Sequence, residues 1–244
     1  MEETRWWTRL LLVSAIVAVV LLLAGPLGYK FGVSGLQPSL ISLLLALVTA
    51  IVVFLVSLVM VMVASKSGLV SNRKWLLVTL GIALVPLIVM VPQIHTARSV
   101  PPIHDITTDT ENPPTFDAVV ALRINAMNSL EYGAGMSPTE LATLQQQAYP
   151  EVVTLSSDLS FDDAVARAVE VLSVQGLEVV NVDPDKGIVE AVATTFWFGF
   201  KDDVVVRVTA TPQGSLVDLR SVSRVGQSDL GANAARILKF LEAF

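Results

Sequence analysis

Residues 10–29 carry no charged side chain. Twenty helical residues at about 1.5 Å each cover the roughly 30 Å hydrocarbon core of a bilayer, so this run predicts a membrane-crossing helix. Two further apolar runs follow, at about residues 40–64 and 75–92. Pro38 and Ser39 introduce the second run; Pro86 is expected to kink the third and Pro92 to end it. Arg5 and Arg9 precede the first run as they would in a signal peptide, but the run is too long for one and more spans come after it.

The flanking charges set an orientation. Arg5 and Arg9 lie before the first span and Lys66, Arg73 and Lys74 lie between the second and third, against Lys30 and Arg98 on the other side. Basic residues stay in the cytoplasm, which places the amino terminus inside and everything after the third span outside. Trp6, Trp7, Tyr29 and Trp75 then fall near the two interfaces. The span interiors hold no Asp, Glu, His, Lys or Arg. Ion paths and proton relays need such groups, so the spans read as an anchor rather than a transporter. Small residues such as Gly25, Ser57 and Gly81 suit either packing within the anchor or a partner's helix.

Charge divides the chain into two physical objects. Through Pro92 there are six Lys or Arg and two acids, a net of 6 − 2 = +4, whereas the remainder holds ten basic and twenty acidic residues, a net of 10 − 20 = −10. The second part is a water-soluble, acidic domain that nucleic-acid phosphate should repel, so no nucleic-acid partner is expected. The chain has no cysteine, which excludes disulfides, thiolate catalysis and cysteine-bound zinc. The domain plan is a transmembrane anchor at 1–94, a Pro-rich linker arm at 95–115 and an α+β domain at 116–244.

Pro101, Pro102, Pro113 and Pro114 make the arm extended, neither helix nor central strand. Its IHDITTD stretch offers His104, Asp105 and Asp109, but the third of these is a weak candidate and the other histidine, His95, lies at the membrane exit, so a hydrogen-bonded linker is preferred to a metal site. Beyond the arm, SPTE at 137–140 is a capping box that starts a short helix reaching about Gln147. SFDD at 160–163 opens another, with Phe161, Val165, Ala168, Val169 and Leu172 as its apolar stripe and Gly176 as its stop. Four strands are expected at 177–182, 187–193, 203–210 and 215–222, with DPDKG and TPQG as turns. A last helix is expected from Asp229, capped by Ser228 and burying Leu230, Ala234, Ile237, Leu238 and Leu241. Together these give a four-stranded, mainly antiparallel sheet with helices on one face.

A four-residue TPQG loop sets Val208 opposite Val217 and Val206 opposite Leu219 on the core side. On the other side Arg207 faces Asp218, and Asp203 sits diagonally from Arg220. This charge ladder reads either as a solvated face, with ion pairs each worth under about 1 kcal/mol, or as a polar site. In TTFWFGF, strict alternation buries only half of Phe196, Trp197, Phe198 and Phe200. Phe196, Trp197 and Phe198 are therefore candidates for lipid or partner contact, against a core-capping role.

DLRSVSRVGQSDLGANAARI, with PPIHDITTD, AYPE and FKDDVVVRV, resembles the bacterial envelope family known as domain of unknown function fourteen-ninety-nine, over about Pro101 to Leu241. The resemblance implies a protein of bacterial membranes and envelopes, with relatives in chloroplasts, and brings no activity, cofactor or catalytic residue; combined with the charge-derived orientation it predicts the cytoplasmic (inner) membrane with the domain periplasmic or extracellular. Arg220, Ser223, Arg224, Ser228 and Asp229 are the anion- or partner-binding candidates, since a helix amino terminus beside arginines attracts phosphate. The competing reading makes Asp229 a resident anion, clasped by the helix dipole and an arginine. An envelope hydrolase using Asp202, Asp203, Asp218, Asp229 or the serines is the alternative. A non-enzymatic accessory or lipid-binding component without cofactor or metal fits better, with membrane lipid or an envelope membrane-protein complex as its partner.

Overall fold

The computed structural model describes residues 3–244. Two compact units are present: one runs to His95 and includes Trp197–Gly199, the other comprises Thr96–Phe196 and Phe200–Phe244.

The first unit is built on three long helices, α1 (Trp6–Lys30), α2 (Leu36–Lys66) and α3 (Val70–Ser99). Each is long and apolar enough to cross a membrane. Small side chains face inward, among them Ala15, Ala18 and Gly25 of α1 and Ala46, Ala50 and Ser57 of α2, while most leucines and valines, Leu22 and Val53 apart, face outward. Lipid tails are as apolar as leucine, so helices here gain by close backbone approach rather than by burying aliphatics. At Gly25 a β-carbon would lie 2.6 Å from the Ser39 carbonyl oxygen. The Ser42 hydroxyl donates to the Leu21 carbonyl at 2.7 Å, a second tie between α1 and α2. At the other end, buried Asn72 of α3 accepts from the Arg5 amide and the Thr8 hydroxyl. Gly81, by contrast, has open space around it.

Pro92 does not end the third helix, which continues to Ser99 through both Pro86 and Pro92. Proline removes one donor but holds φ at a helix-compatible value, so the turns on either side still satisfy the remaining backbone groups.

The second unit is α+β, with a six-stranded antiparallel sheet instead of the four strands expected. The four anticipated strands are β3 (Glu178–Asp183), β4 (Ile188–Thr194), β5 (Lys201–Thr211) and β6 (Gly214–Ser223). The two additional strands are β1 (Asp105–Thr107) and β2 (Leu155–Ser157), three residues each. The strand order is β1-β6-β5-β4-β3, with β2 also on β6. β1 pairs beside the carboxy-terminal half of β6 (Asp105 with Val222), and β2 beside the other half (Leu155 with Val217). Three residues are too few to show a period of two, so only the tertiary partner reveals such strands.

The β5–β6 register is the expected one: Val206 faces Leu219, Arg207 faces Asp218 and Val208 faces Val217. The turn is tighter than a four-residue loop. Thr211 already pairs with Gly214, leaving only Pro212 and Gln213 between the strands. At Gly214 φ is +139° and a β-carbon would meet the Ser157 carbonyl at 2.2 Å, so both backbone and space demand glycine.

Ser137 caps α4 (Pro138–Ala148) and Ser160 caps α5 (Phe161–Val174), each accepting from the amide three residues on. Gly176, at φ +80°, follows α5. The core lies between one sheet face and the helices: Val189, Val204, Val206, Val217 and Leu219 meet Val165, Ala168 and Leu172 of α5 and Ala234, Ile237 and Phe240 of the last helix. Buried Gln145 of α4 treats β1 as a strand neighbour would. It accepts from the Thr107 amide at 2.9 Å and donates to the Thr107 carbonyl at 2.7 Å, closing that edge.

The last helix, α6 (Ala232–Ala243), starts three residues later than expected, and Gly231 rather than Ser228 precedes it. Leu230 sits at φ +57° and is exposed, not part of the core. The tight turn through Leu230 and Gly231 takes up residues that the sequence pattern assigns to the helix.

Candidate functional site

A strand turns successive side chains to opposite faces, and this splits the Arg-Ser-Val-Ser-Arg motif in two. Ser221 and Ser223 face the helices, while Arg220 and Arg224 face the far side of the sheet.

On the helix side, Asn233 in the first turn of α6 collects both serines. Its Oδ1 accepts from the Ser221 hydroxyl at 2.6 Å, and its Nδ2 donates to the Ser223 hydroxyl at 3.0 Å and to the His104 carbonyl at 2.9 Å. Arg236 donates to Ser221 and bridges to Asp202 at 2.7 Å. Asp229 does occupy the helix amino terminus. Its carboxylate accepts from the Gly231 and Asn233 amides, both at 2.8 Å. Among the described residues no arginine clasps it, which corrects the arginine half of the expected clasp; Arg224 is turned to the other face. Burial holds the Asp229 carboxyl above its usual range, opposed by those two amide bonds. Ser228 accepts from the Leu230 amide and caps no helix.

The far face is not solvated. The chain from Thr108 to Tyr132 crosses it as an irregular strap containing one short 3-10 helix (Ala118–Leu122). A strap of this kind cannot satisfy its own backbone, and buried backbone groups need partners. Charged side chains of the sheet supply them. Buried Glu190 of β4 accepts from the amides of Asp117 and Ala118, both at 2.8 Å, and from Asn181. Arg220 donates from Nε to Asp105 Oδ1 at 2.9 Å and from a terminal nitrogen to Asp105 Oδ2 at 2.7 Å. The same guanidinium reaches the Pro114 carbonyl at 3.2 Å and the Leu130 carbonyl at 2.8 Å. The rings of Phe116 and Tyr132 each lie 5.4 Å from it, within the range of a cation–π contact. Among the described residues the Tyr132 hydroxyl has no hydrogen-bond partner, and burial, with the nearby Asp105 charge second, pushes its pKa up to about 12.

Asp203 is fully buried and held by two arginines, Arg123 of the strap and Arg224 of β6, the latter at 2.6 Å. Arg224 also donates to the Leu122 carbonyl at 2.7 Å, and its own carbonyl accepts from the Met127 and Asn128 amides. Arg207 does meet Asp218, at 2.8 Å, and adds Asp109 of the strap at 2.9 Å. The expected ladder is therefore corrected in two respects. Asp203 does lie diagonally from Arg220, but Arg220 pairs with Asp105, and the pairs of Arg220 and Asp203 are buried while Arg207 and Asp109 stay partly exposed.

The hydrolytic alternative meets this geometry badly. Asp202 and Asp203 are adjacent in β5 and face opposite sides. Asp203 and Asp218 share a face, but Asp203 pairs with Val222, four residues along β6 from Asp218. That is roughly 13 Å along the strand, beyond the carboxylate separations of about 5–9.5 Å used in glycoside hydrolysis. His104 bonds through Nδ1 to the Gln227 carbonyl at 3.3 Å, not to a serine hydroxyl. Among the described residues no His, Cys, Asp or Glu cluster could hold a metal ion. In the loop between β4 and β5, Phe196 and Trp197 are 77% and 51% exposed, and Phe198 is half-buried.

Sequence reasoning missed Glu190, Arg123, Asn128, Asn233 and Arg236. Glu190 did carry a signal: it is an acid inside the otherwise apolar run IVEAVA, on the side of the strand opposite Val189 and Ala191.

The molecule is thus a helical unit able to anchor in a membrane, followed by an α+β domain whose arginine motif fastens a strap to the sheet. The chain belongs to the family described as protein of unknown function (DUF1499), which matches residues 105–244. A search of the curated proteins finds no match.

Two outcomes follow from these networks. Arg220→Lys, which keeps the charge but loses the fork and the ring contacts, is expected to lower the domain's melting temperature nearly as much as Arg220→Ala. Breaking a buried pair costs on the order of 3–5 kcal/mol; thermal unfolding followed by circular dichroism reads it, and full rescue by lysine would refute the forked role. Asp229 has the opposite sign to a salt-bridged acid. With its folded pKa raised, its contribution is fully present below the unfolded pKa and is lost as pH rises through the folded value. The stability of the wild type relative to Asp229→Asn should therefore decline as pH is raised through the carboxylate range, which denaturant melts at a series of pH values would record.

Proposed function

We propose that this chain is a membrane-anchored, non-enzymatic accessory component of the bacterial cell envelope, with its amino terminus cytoplasmic and its α+β domain outside the cytoplasmic membrane. The observation that carries the non-enzymatic reading is the saturation of the motif. Arg220, Arg224, Asp203, Asp218, Ser221 and Ser223 each spend their hydrogen bonds inside the domain. A nucleophile or base needs a free reacting atom beside an orienting neighbour, and these groups are occupied with fold. The same saturation weighs against free phosphate at the arginines and leaves lipid or protein contact to the outer surfaces of the molecule. The orientation is supported by five basic residues, Arg5, Arg9, Lys66, Arg73 and Lys74, on one side of the spans. The uncharged span interiors and the open surface at Gly81 favour a helix-packing partner over a transport path.

Purification of the full chain in mild detergent is expected to retain a stoichiometric membrane protein. Recovery of the chain alone, together with hydrolysis of an envelope substrate, would replace this reading with the enzymatic one. For the orientation, an alkaline phosphatase reporter fused after Phe244 should be active and a cytoplasm-only reporter silent; the reverse pattern would invert the topology.

A further inference from the structure

Four large apolar side chains fall within eight residues of the strap and all are exposed: Val120 at 55%, Leu122 at 49%, Ile124 at 89% and Met127 at 74%. Their neighbours Val119 and Arg123 point the other way, into the sheet face. The outward residues are thus surplus to the core. The ridge is also held in place. The Leu122 carbonyl accepts from Arg224, Arg123 bridges to Asp203, and the Met127 amide donates to the Arg224 carbonyl. A fixed row of exposed aliphatics is what an interaction surface requires and what a soluble domain otherwise avoids.

Its place in the domain indicates the occupant. Arg123 and Arg224 meet at Asp203, near the start of β5, and at this end of the sheet β4 and β6 finish and β1 begins. The chain therefore enters the sheet at the same end, with only residues 100–104 between Ser99 of the last apolar helix and Asp105. Most acids at this end are paired, with exposed Glu131 beside the cleft of Ile103 and Asp105 standing apart from them. Asp105, Asp202 and Asp203 are each bridged to an arginine, and exposed Glu178 and Lys201 at the strand ends offset one another. Phe196, also exposed, lies in the β4–β5 loop at this end.

We propose that Val120, Leu122, Ile124 and Met127 form a lipid-docking ridge, seated in the headgroup zone of the bilayer that the apolar helices cross. The ridge rests on the anchoring of α1–α3 and is independent of the accessory role. Its occupant is phospholipid rather than protein. Buried area and dehydration of aliphatic side chains hold it there, as for an interfacial helix.

The chain has no cysteine, so single labelling sites can be placed at will. Full-length Ile124→Cys, Met127→Cys and Gln213→Cys variants, labelled with an environment-sensitive fluorophore, are reconstituted alone into vesicles of phosphatidylethanolamine and phosphatidylglycerol. Gln213 lies in the β5–β6 turn at the opposite end of the sheet. Labels at 124 and 127 are expected to emit at shorter wavelength and to lose most of their intensity to nitroxide-labelled lipid, while the label at 213 keeps water-like emission. Melting each labelled variant identifies any that fails to fold, and either of the two ridge positions suffices. Water-like emission at 124 and 127, or equal quenching at all three sites, overturns the proposal. Burial of the ridge labels only when native membrane proteins are restored overturns it as well, in favour of a protein occupant. Loss of a co-purifying partner leaves this result unaffected, so the two readings fail separately.

Discussion

The guanidinium of Arg220 is the interaction on which the outer domain depends. It lies at the centre of the sheet's second face, joins β6 to β1 through Asp105 and holds two carbonyls of the strap between two aromatic rings. Burying a charge costs several kcal/mol before any bond is made, and only near-complete hydrogen bonding offsets it. Here the offset comes from main-chain carbonyls that the strap would otherwise leave without donors. Each side's need answers the other's, so the arginine and the irregular segment over it are stable only together.

The same logic recurs along the face. Glu190 gives its carboxylate to the amides at the start of the 3-10 helix, while Asp203 joins an arginine of the strap to one of the sheet. These are cross-links between an element with a regular ladder and one without. They also explain why a motif rich in arginine and serine, next to a helix, is not a phosphate loop. Its charges are neutralised by residues 115 and 21 positions away in the chain, and the helix amino terminus is filled by Asp229.

Two solvents shape the two units differently. In the helical unit inward positions are mostly small and outward ones mostly large, since packing rather than water exclusion brings helices together in lipid. In the outer domain the pattern is reversed, with valines and leucines inside and polar groups elsewhere. The longest departure is the apolar ridge of the strap, where four exposed aliphatics within eight residues follow the rule of the first unit within the second.

Sequence alone determined the features that rest on local or periodic signals. The three spans follow from length and lack of charge, α4 and α5 from their serine caps, and the β5–β6 register from matched alternation around a turn. Family membership was also legible, because the arginine–serine motif is long and specific. Tertiary structure alone decided what pairs across large separations. β1 and β2 exist only because β6 offers an edge, and Arg220 finds Asp105 only because β1 lies there. The strap covers a face that alternation marks as polar and therefore suggests is wet. A charged residue in a strand reads identically whether water or a distant backbone satisfies it, and the difference lies in a partner that no local pattern encodes.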